Sequence, residues 1–353
     1  MALARKAITI QDVARHARVS AATVSRALSA PERVSEATRE RVAEAVRVTG
    51  YTINQAARSL RLRAARTILI ALPNIGNPFY STILDAVVNE AAARQYGVLV
   101  ASPEIGGADW INHYFTSNRV DGLLLFDGGV DTRQLEVAPN AFGQLPLVVS
   151  FDELPDPHVS SVMTDNQAAA GRAVAHLLSL GHRRIGHILG HSRNGEPNER
   201  LLGYRKAMAA AGHQLRPDWM LPGDYSMRSG IAAAHHFLAL KDRPTAVFSG
   251  NDEMAIGFLS VLHAHGVECP RDISVIGFDD IDVAMAYAPP LTTMRQPRNE
   301  IGRRATRTLI DILEGERSDR TPERVVLVSE LVIRASTAPV SSDAPRVKRR
   351  ALA

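Results

Sequence analysis

Apolar residues recur at helical spacing in the first fifty positions, and from Thr67 onward they fall in short runs that alternate with helical segments. In TIQDVARHARVSAATVSRALS, residues Ile10, Val13, Ala14 and Ala17 share one face of a short helix that stops near Arg18-Val19. Thr9 with Asp12 reads as an N-cap followed by an acidic group in the first turn. Ser20 can cap a second helix from Ala21 to Leu28, with Val24 and Leu28 turned inward. The pair stands a few residues apart, as a helix-turn-helix requires. Ser35 can cap a third helix, SEATRERVAEAVRVTG, with Glu36 near its positive end, Val42 and Val46 inward and Gly50 to terminate it.

The later runs TILIAL, GVLVAS, VDGLLLF and LPLVVSF read as strands of a first lobe, separated by helices such as STILDAVVNEAAARQ, whose Ile83, Val87 and Ala91 can face a sheet. RRIGHILG, PTAVFSG and ISVIGFDD form a second set, separated by DNQAAAGRAVAHLLSLG, LLGYRKAMAAAG and DEMAIGFLSVLHAHG. Alternation of this kind is the signature of mainly parallel α/β sheets.

Length supports several domains: 353 residues exceed one ordinary core. Charge is uneven. Residues 1–66 carry 13 basic and 5 acidic groups, a net +8, so the rest is net −4 although the whole chain is only +4. A basic end suits a polyanion partner. Cys269 is the only cysteine, which rules out an intrachain disulfide and a cysteine-based zinc site and fits a reducing compartment. The N-terminus shows no signal-peptide pattern and no window approaches the ~18 apolar residues of a membrane span. A cytoplasmic protein is the expectation.

On the second helix Ala21, Ala22, Ser25 and Arg26 point away from the small core, so that Arg26 can read a guanine edge and an alanine can touch a thymine methyl; an ordinary solvated arginine is the plainer alternative. After Tyr51 comes NQAARSLRLRAAR, too short for a stable isolated helix but suited to folding on DNA. Leu60, among Arg58, Arg61 and Arg63, suits either a wedge between base steps or packing against the neighbouring domain.

V-S-x-A-T-V-S-R-A-L, then V-S-x-x-T-R, then G-Y-x-x-N-x-x-A-R-S-L resembles the lactose/galactose repressor (LacI/GalR) family over nearly the whole chain, the N-terminal half being most similar to the cytidine-repressor branch. The resemblance implies base contacts by Ala21, Ala22 and Arg26, and minor-groove intercalation at a central C-G step by Leu60. With these, Thr9, Ser20, Thr23, Ser25, Ser29, Tyr51, Asn54, Ala57 and Arg61 complete the candidate DNA-contacting set. The implied fold is an all-α three-helix helix-turn-helix head plus hinge helix, joined to a two-lobed α/β domain like the periplasmic sugar-binding proteins.

The expected layout is a head at 1–53, a hinge helix and linker at 54–66, an effector-binding and dimerisation domain at 67–338, and a disordered basic tail at 339–353. Within that domain the first lobe takes about 67–164 plus 295–324 and the second about 165–294 plus 325–338, the crossings resting on the resemblance.

In open α/β sheets ligands bind beyond the carboxyl ends of the strands. Asn251, Asp279 and Gln296 sit there, with Arg200 at a helix start, Tyr225 in the loop GDYSMRSG and Phe79 after the first strand. Asn251 and Asp279 can alternatively cap helices or turns, Arg200 form a surface ion pair, and Tyr225 pack in the core. The resemblance assigns all six to an effector cleft, most strongly Arg200, Asp279 and Gln296. Phe126, Asp127 and Phe151 fall near further cleft positions, and the two phenylalanines depart from sugar-repressor patterns.

No Gly-rich phosphate loop, GxSxG elbow or HExxH motif argues for an enzyme, and His235-His236 and His263-x-His265 are not spaced to share a helix face; no cofactor or metal is expected. A free-standing solute-binding protein would lack the basic head, and an effector-independent architectural DNA-binding protein would leave the cleft unexplained. The reading is a repressor of a pseudo-palindromic double-stranded operator, controlled by a sugar-like or nucleoside effector. The tail has no leucine heptads, so a homodimer is expected.

Overall fold

The computed structural model describes residues 8–51, 64–102, 110–126, 146–150, 159–190, 199–315 and 322–340. The chain divides into two compact units, Met1–Ala65 and Arg66–Ala353.

In the first unit, α1 (Ile10–Ala17), α2 (Ala21–Ser29) and α3 (Glu36–Thr49) pack around Val13, Ala14, Ala17, Val24, Ala27, Val42 and Ala45. Ile10, Leu28 and Val46 are half-buried around this core. The Asp12 carboxylate accepts both the Thr9 backbone N–H (2.9 Å) and hydroxyl (2.7 Å), closing the start of α1. Ser20 caps α2 by accepting from the Thr23 N–H at 3.0 Å. Ser35 departs from expectation: its hydroxyl donates to the Thr38 hydroxyl (2.9 Å), and it makes no side-chain cap to the helix backbone. A 3₁₀ turn, Pro31–Arg33, links α2 to α3. The expected hinge helix falls largely on residues 52–63, outside the described set, as do Asn54, Ala57, Leu60 and Arg61.

The second unit holds two parallel sheets. The first has the order β11-β5-β4-β3-β1-β2, with β1 (Thr67–Ala71), β2 (Gly97–Ala101), β3 (Gly122–Leu125), β4 (Leu147–Ser150), β5 (Ser160–Thr164) and β11 (Arg324–Leu327). Alternate residues face opposite sides of a strand. Ile68, Ile70, Leu124 and Val148 pack with residues of α4 (Phe79–Ala93) and α11 (Arg298–Leu313), while Leu69, Leu123 and Val149 pack with Trp110, Ile111 and Phe115 of α5 (Trp110–Thr116). The second sheet has the order β7-β6-β8-β9, with β6 (Ile185–Ile188), β7 (Met220–Leu221), β8 (Ala246–Ser249) and β9 (Ser274–Ile276). Ile185, Phe248 and Ile276 pack with α6 (Asn166–Ser179) and α7 (Glu199–Ala210), and Ile188, Val247 and Val275 with α8 (Met227–Ala239) and α9 (Asp252–Ala264). A short helix, α10 (Asp282–Ala286), precedes an antiparallel pair formed by β10 (Thr293–Arg295) and β12 (Glu330–Val332).

Three details correct the sequence reading. Strand β5 was not among the expected strands, and it is what β11 pairs with, Arg324 opposite Ser161 through Leu327 opposite Thr164. That pairing keeps residues 324–327 in the first lobe, so the return to the second lobe follows Leu327 and does not begin at 325. The C-terminal segment is tied down beyond Ala338: His182 Nε2 lies 3.0 Å from the Ala338 carbonyl, and the Val340 N–H donates to the Leu180 carbonyl at 2.9 Å. The packed part of the second unit therefore includes Val340, and residues 341–353 lie outside the described set.

Candidate functional site

The chain passes between the lobes at Thr164-Asp165, Gln296-Pro297 and Leu327–Ser329. Asp165 joins two of these passages: its N–H donates to the Leu327 carbonyl (3.0 Å) and its carboxylate accepts the Ser329 N–H (2.8 Å). Arg172 bridges the same pair, reaching Asp165 at 2.6 Å and the Ser329 carbonyl at 2.8 Å. The third passage is tied at Gln296. Its Oε1 accepts from the Thr164 hydroxyl at 2.8 Å and its Nε2 donates to Asp279 Oδ1 at 2.7 Å, so one buried amide links a strand end of the first lobe to a strand end of the second.

Arg200 also approaches Asp279, its guanidinium 3.6 Å from the same Oδ1. Its Nε donates to Asn166 Oδ1 (3.0 Å), its NH1 to the Gly250 carbonyl (2.5 Å), and its plane sits 3.8 Å from the Phe278 ring centroid. A planar cation held on both edges and one face is locked in orientation. Burial pushes the Asp279 carboxyl up to about 6, and Arg200, the Gln296 hydrogen bond and Arg298 oppose this without overcoming it. Thr164, Asn166, Arg200, Asp279 and Gln296 thus form one polar strip that offers carboxylate, amide and guanidinium groups to a polar ligand.

Of the six expected effector residues, Arg200, Asp279 and Gln296 come together. Asn251 caps α9, accepting from the Met254 N–H at 3.0 Å, and its Nδ2 donates to the Tyr225 carbonyl at 3.0 Å, so its amide serves helix and loop in the way the plainer reading allowed. Tyr225, at φ +69, lays its ring over Gly190 so closely that a Cβ there would collide with the ring and its hydroxyl, and Arg200 lies 5.5 Å above that ring. Phe79 is 5% exposed, in the first-lobe core with Phe126. Asp127 and Phe151 lie outside the described residues. Asn166, Thr164 and Phe278 join the strip although they were not singled out. Asp165-Asn166 at a helix start was the available signal, but no local pattern shows that Asn166 meets Arg200, 34 positions away.

In the first unit Ala22 and Arg26 are exposed on α2 and Ser25 is half-buried, but Ala21, expected to point away from the core, packs partly against it. The Ser20 and Thr23 hydroxyls lie 2.8 Å apart within the cap, the Thr9 hydroxyl is bonded to Asp12, and Tyr51 packs partly on the head core. Ser29 closes the last turn of α2. Among the described residues, no group of three or more His, Cys, Asp or Glu is arranged to hold a metal ion, and no helix is long and apolar enough to cross a membrane.

Comparison with known proteins matches residues 9–54 to the bacterial regulatory proteins of the lacI family, and residues 174–337 to a periplasmic binding protein-like domain. The chain is 36% identical over 334 residues to the HTH-type transcriptional repressor PurR of Photobacterium profundum, covering 93% of this chain and 98% of that one. It is 36% identical over 341 residues to the HTH-type transcriptional repressor CytR of Escherichia coli, covering 94% and 96%. Among solved structures, the Lac repressor dimer bound to operator and the anti-inducer ONPF superposes with a TM-score of 0.81 at 27% identity, covering 94% of this chain and all of that one.

Proposed function

Because this chain belongs to the lacI family of bacterial regulatory proteins, we propose that it is a transcriptional repressor that binds a pseudo-palindromic operator as a homodimer and is controlled by a small polar effector held between its two lobes. The effector is a sugar, a sugar derivative or a nucleoside. The observation that carries the effector half is the buried strip Thr164–Gln296–Asp279–Arg200–Asn166, which has no use in a merely architectural DNA-binding protein. The exposed Ala22 and Arg26 on a helix-turn-helix support the DNA half. Repression by DNA occupancy asks for no catalytic group, and the protein works in the cytoplasm on the nucleoid.

Arg26 reads a guanine edge, Ala21 and Ala22 contact neighbouring bases, and Thr9, Ser20, Thr23, Ser25, Ser29 and Tyr51 position the head on phosphate and sugar. Asn54, Ala57, Leu60 and Arg61, which lie outside the described residues, complete the DNA-contacting set, with Leu60 as the minor-groove wedge. In the cleft Asp279 accepts ligand hydroxyls, Arg200 donates to ligand oxygens, Tyr225 lies beside Arg200, and Asn251 holds the Tyr225 loop. An effector donor that bonds Asp279 competes with the Gln296 amide, which also holds Thr164. Binding therefore acts on a tie between the lobes. The effector shifts operator affinity only through unequal affinity for the two lobe arrangements; a coupling of ~1–3 kcal/mol corresponds to about 5- to 150-fold.

The test begins with a thermal-shift screen of sugars and nucleosides, since a ligand specific to the folded state raises its stability. Wild type and Asp279→Ala are then titrated with the hit and with operator DNA. The expected outcome is a lost effector response in the mutant. Wild-type effector affinity in Asp279→Ala would remove Asp279 from the site.

A further inference from the structure

Asp252, the first residue of α9, is fully buried, yet it lies beside the ligand-facing strip and forms no part of it. It bonds to two separate segments of chain. Its N–H donates to the Phe278 carbonyl at 2.8 Å, its Oδ2 accepts the Ile281 N–H at 3.0 Å, and its Oδ1 accepts the Thr293 hydroxyl at 2.6 Å. The carboxyl also fits closely over Gly277, where a Cβ would collide with Oδ1.

These ties bracket a backbone that does not rest easily in its conformation. Asp279 has φ +117 and Asp280 has φ +57, two consecutive non-glycine residues on the side of backbone space that L side chains rarely adopt. Such strain persists only where the surroundings over-determine it. On one side the Asp279 N–H is held by the Met294 carbonyl at 2.8 Å, and on the other the Asp280 carboxylate is held by Arg295 (2.7 Å) and Arg334 (2.6 Å). Phe278 and Ile281, the residues flanking the strained pair, are both held by Asp252.

We propose that Asp252 is the positioning residue of the effector site: it staples the 277–281 segment to α9 and to β10, and so holds the Asp279 carboxylate at its place between Gln296 and Arg200. The proposal rests on the reading of Asp279 as an effector contact only for its functional consequence; the staple itself is testable without any ligand. Two side-chain contacts define the role, and an amide keeps both with the direction of one reversed. In Asp252→Asn, Oδ1 can accept from Ile281 and Nδ2 can donate to the Thr293 hydroxyl. Burial and the neighbouring Asp279 raise the Asp252 carboxyl above the usual range, and the asparagine variant keeps its size and planar shape.

The experiment compares full-length wild type, Asp252→Asn, Asp252→Ala and Thr293→Val by amide hydrogen exchange and by titration with cytidine and D-ribose as probes. Asp252→Ala is expected to speed exchange across 277–282 at least tenfold while protection in α3 and α4 is unchanged, Thr293→Val to do so by a smaller factor, and Asp252→Asn to restore wild-type protection. Affinity for whichever probe binds the wild type should fall at least tenfold in Asp252→Ala and stay within threefold in Asp252→Asn. If Asp252→Ala does not fold, Thr293→Val and the asparagine rescue decide the question. Unchanged exchange of 277–282 in both Asp252→Ala and Thr293→Val, or failure of asparagine to restore it, overturns the staple. An Asp279→Asn protein that binds the probe like wild type, alongside faster exchange in Asp252→Ala, leaves the staple standing and removes only the effector reading of Asp279.

Discussion

Arg26 is exposed on α2 whereas Arg200 is half-buried with its guanidinium over the Phe278 ring, and the two are proposed for different jobs. If Arg26 makes a bidentate guanine contact, Arg26→Ala costs roughly 1–3 kcal/mol at one operator position and little at the others. Binding to a panel of single-base operator variants checks this; a uniform loss across the panel would make Arg26 a phosphate contact. Asp279 carries a pH signature. Its folded-state value of about 6 lies above the ordinary 3.8, so the folded protein holds the proton more tightly than the unfolded chain. Asp279 therefore adds stability as pH falls from about 6 toward 3.8 and takes it away as pH rises through 6. Buried His187, lowered to about 4 from 6.5, acts in the opposite sense: the unfolded chain takes the proton first, and stability is lost as pH falls from 6.5 to 4. Urea unfolding of Asp279→Asn should then fall more steeply in acid than that of wild type, because the compensating gain is gone. An effector that needs the ionised carboxylate should bind wild type progressively more weakly below pH 6, approaching tenfold per pH unit. The prominence of Asp279 was legible from its place after SVIGF; its raised affinity for a proton was not, because that depends on burial by segments distant in sequence.

Helix α2 is nine residues long, too short to hold its first turn without a cap. Ser20→Ala removes the acceptor for the Thr23 N–H and should cost about 0.5–2 kcal/mol, seen as an earlier unfolding transition of the head in a thermal scan. Operator affinity should fall with it for all sequences alike, unlike the single-position effect at Arg26. A scan identical to wild type would place the stability of α2 entirely in the contacts of Val24 and Ala27. Elements of this kind were readable because a cap and a 3.6-residue spacing are local. Strand β5 was not: Ser160, Ser161 and Thr164 are buried polar residues in a strand that runs between β4 and β11. Its hydrogen bonds to two neighbours make it a strand, and β11, one of those neighbours, lies 163 positions further along the chain. The position of β11 followed from the same cause.

At the scale of the whole protein, positive charge is concentrated in residues 1–66, the end that carries the helix-turn-helix, and the remainder is net negative. If Leu60 is driven between base steps, Leu60→Ala should abolish most operator bending and weaken specific binding, while leaving the thermal transition of the head unchanged. A circular-permutation gel assay reads the bend, and an unaltered angle would return Leu60 to a packing role. The sequence alone determined the three-helix head, the alternation that makes two parallel lobes, the charge asymmetry and the order of motifs that marks the family, all of which are properties of neighbouring residues or of composition. Tertiary structure alone decided which polar residues come together at the candidate site. Thr164, Asn166, Arg200, Asp279 and Gln296 meet because three chain passages bring strand ends of both lobes to one place. It also decided that Asn251 caps a helix and that Asp252 supports the loop beneath Asp279. Hydrogen bonds and desolvation depend on distance in space, and across 132 positions between Thr164 and Gln296 only the folded chain sets that distance.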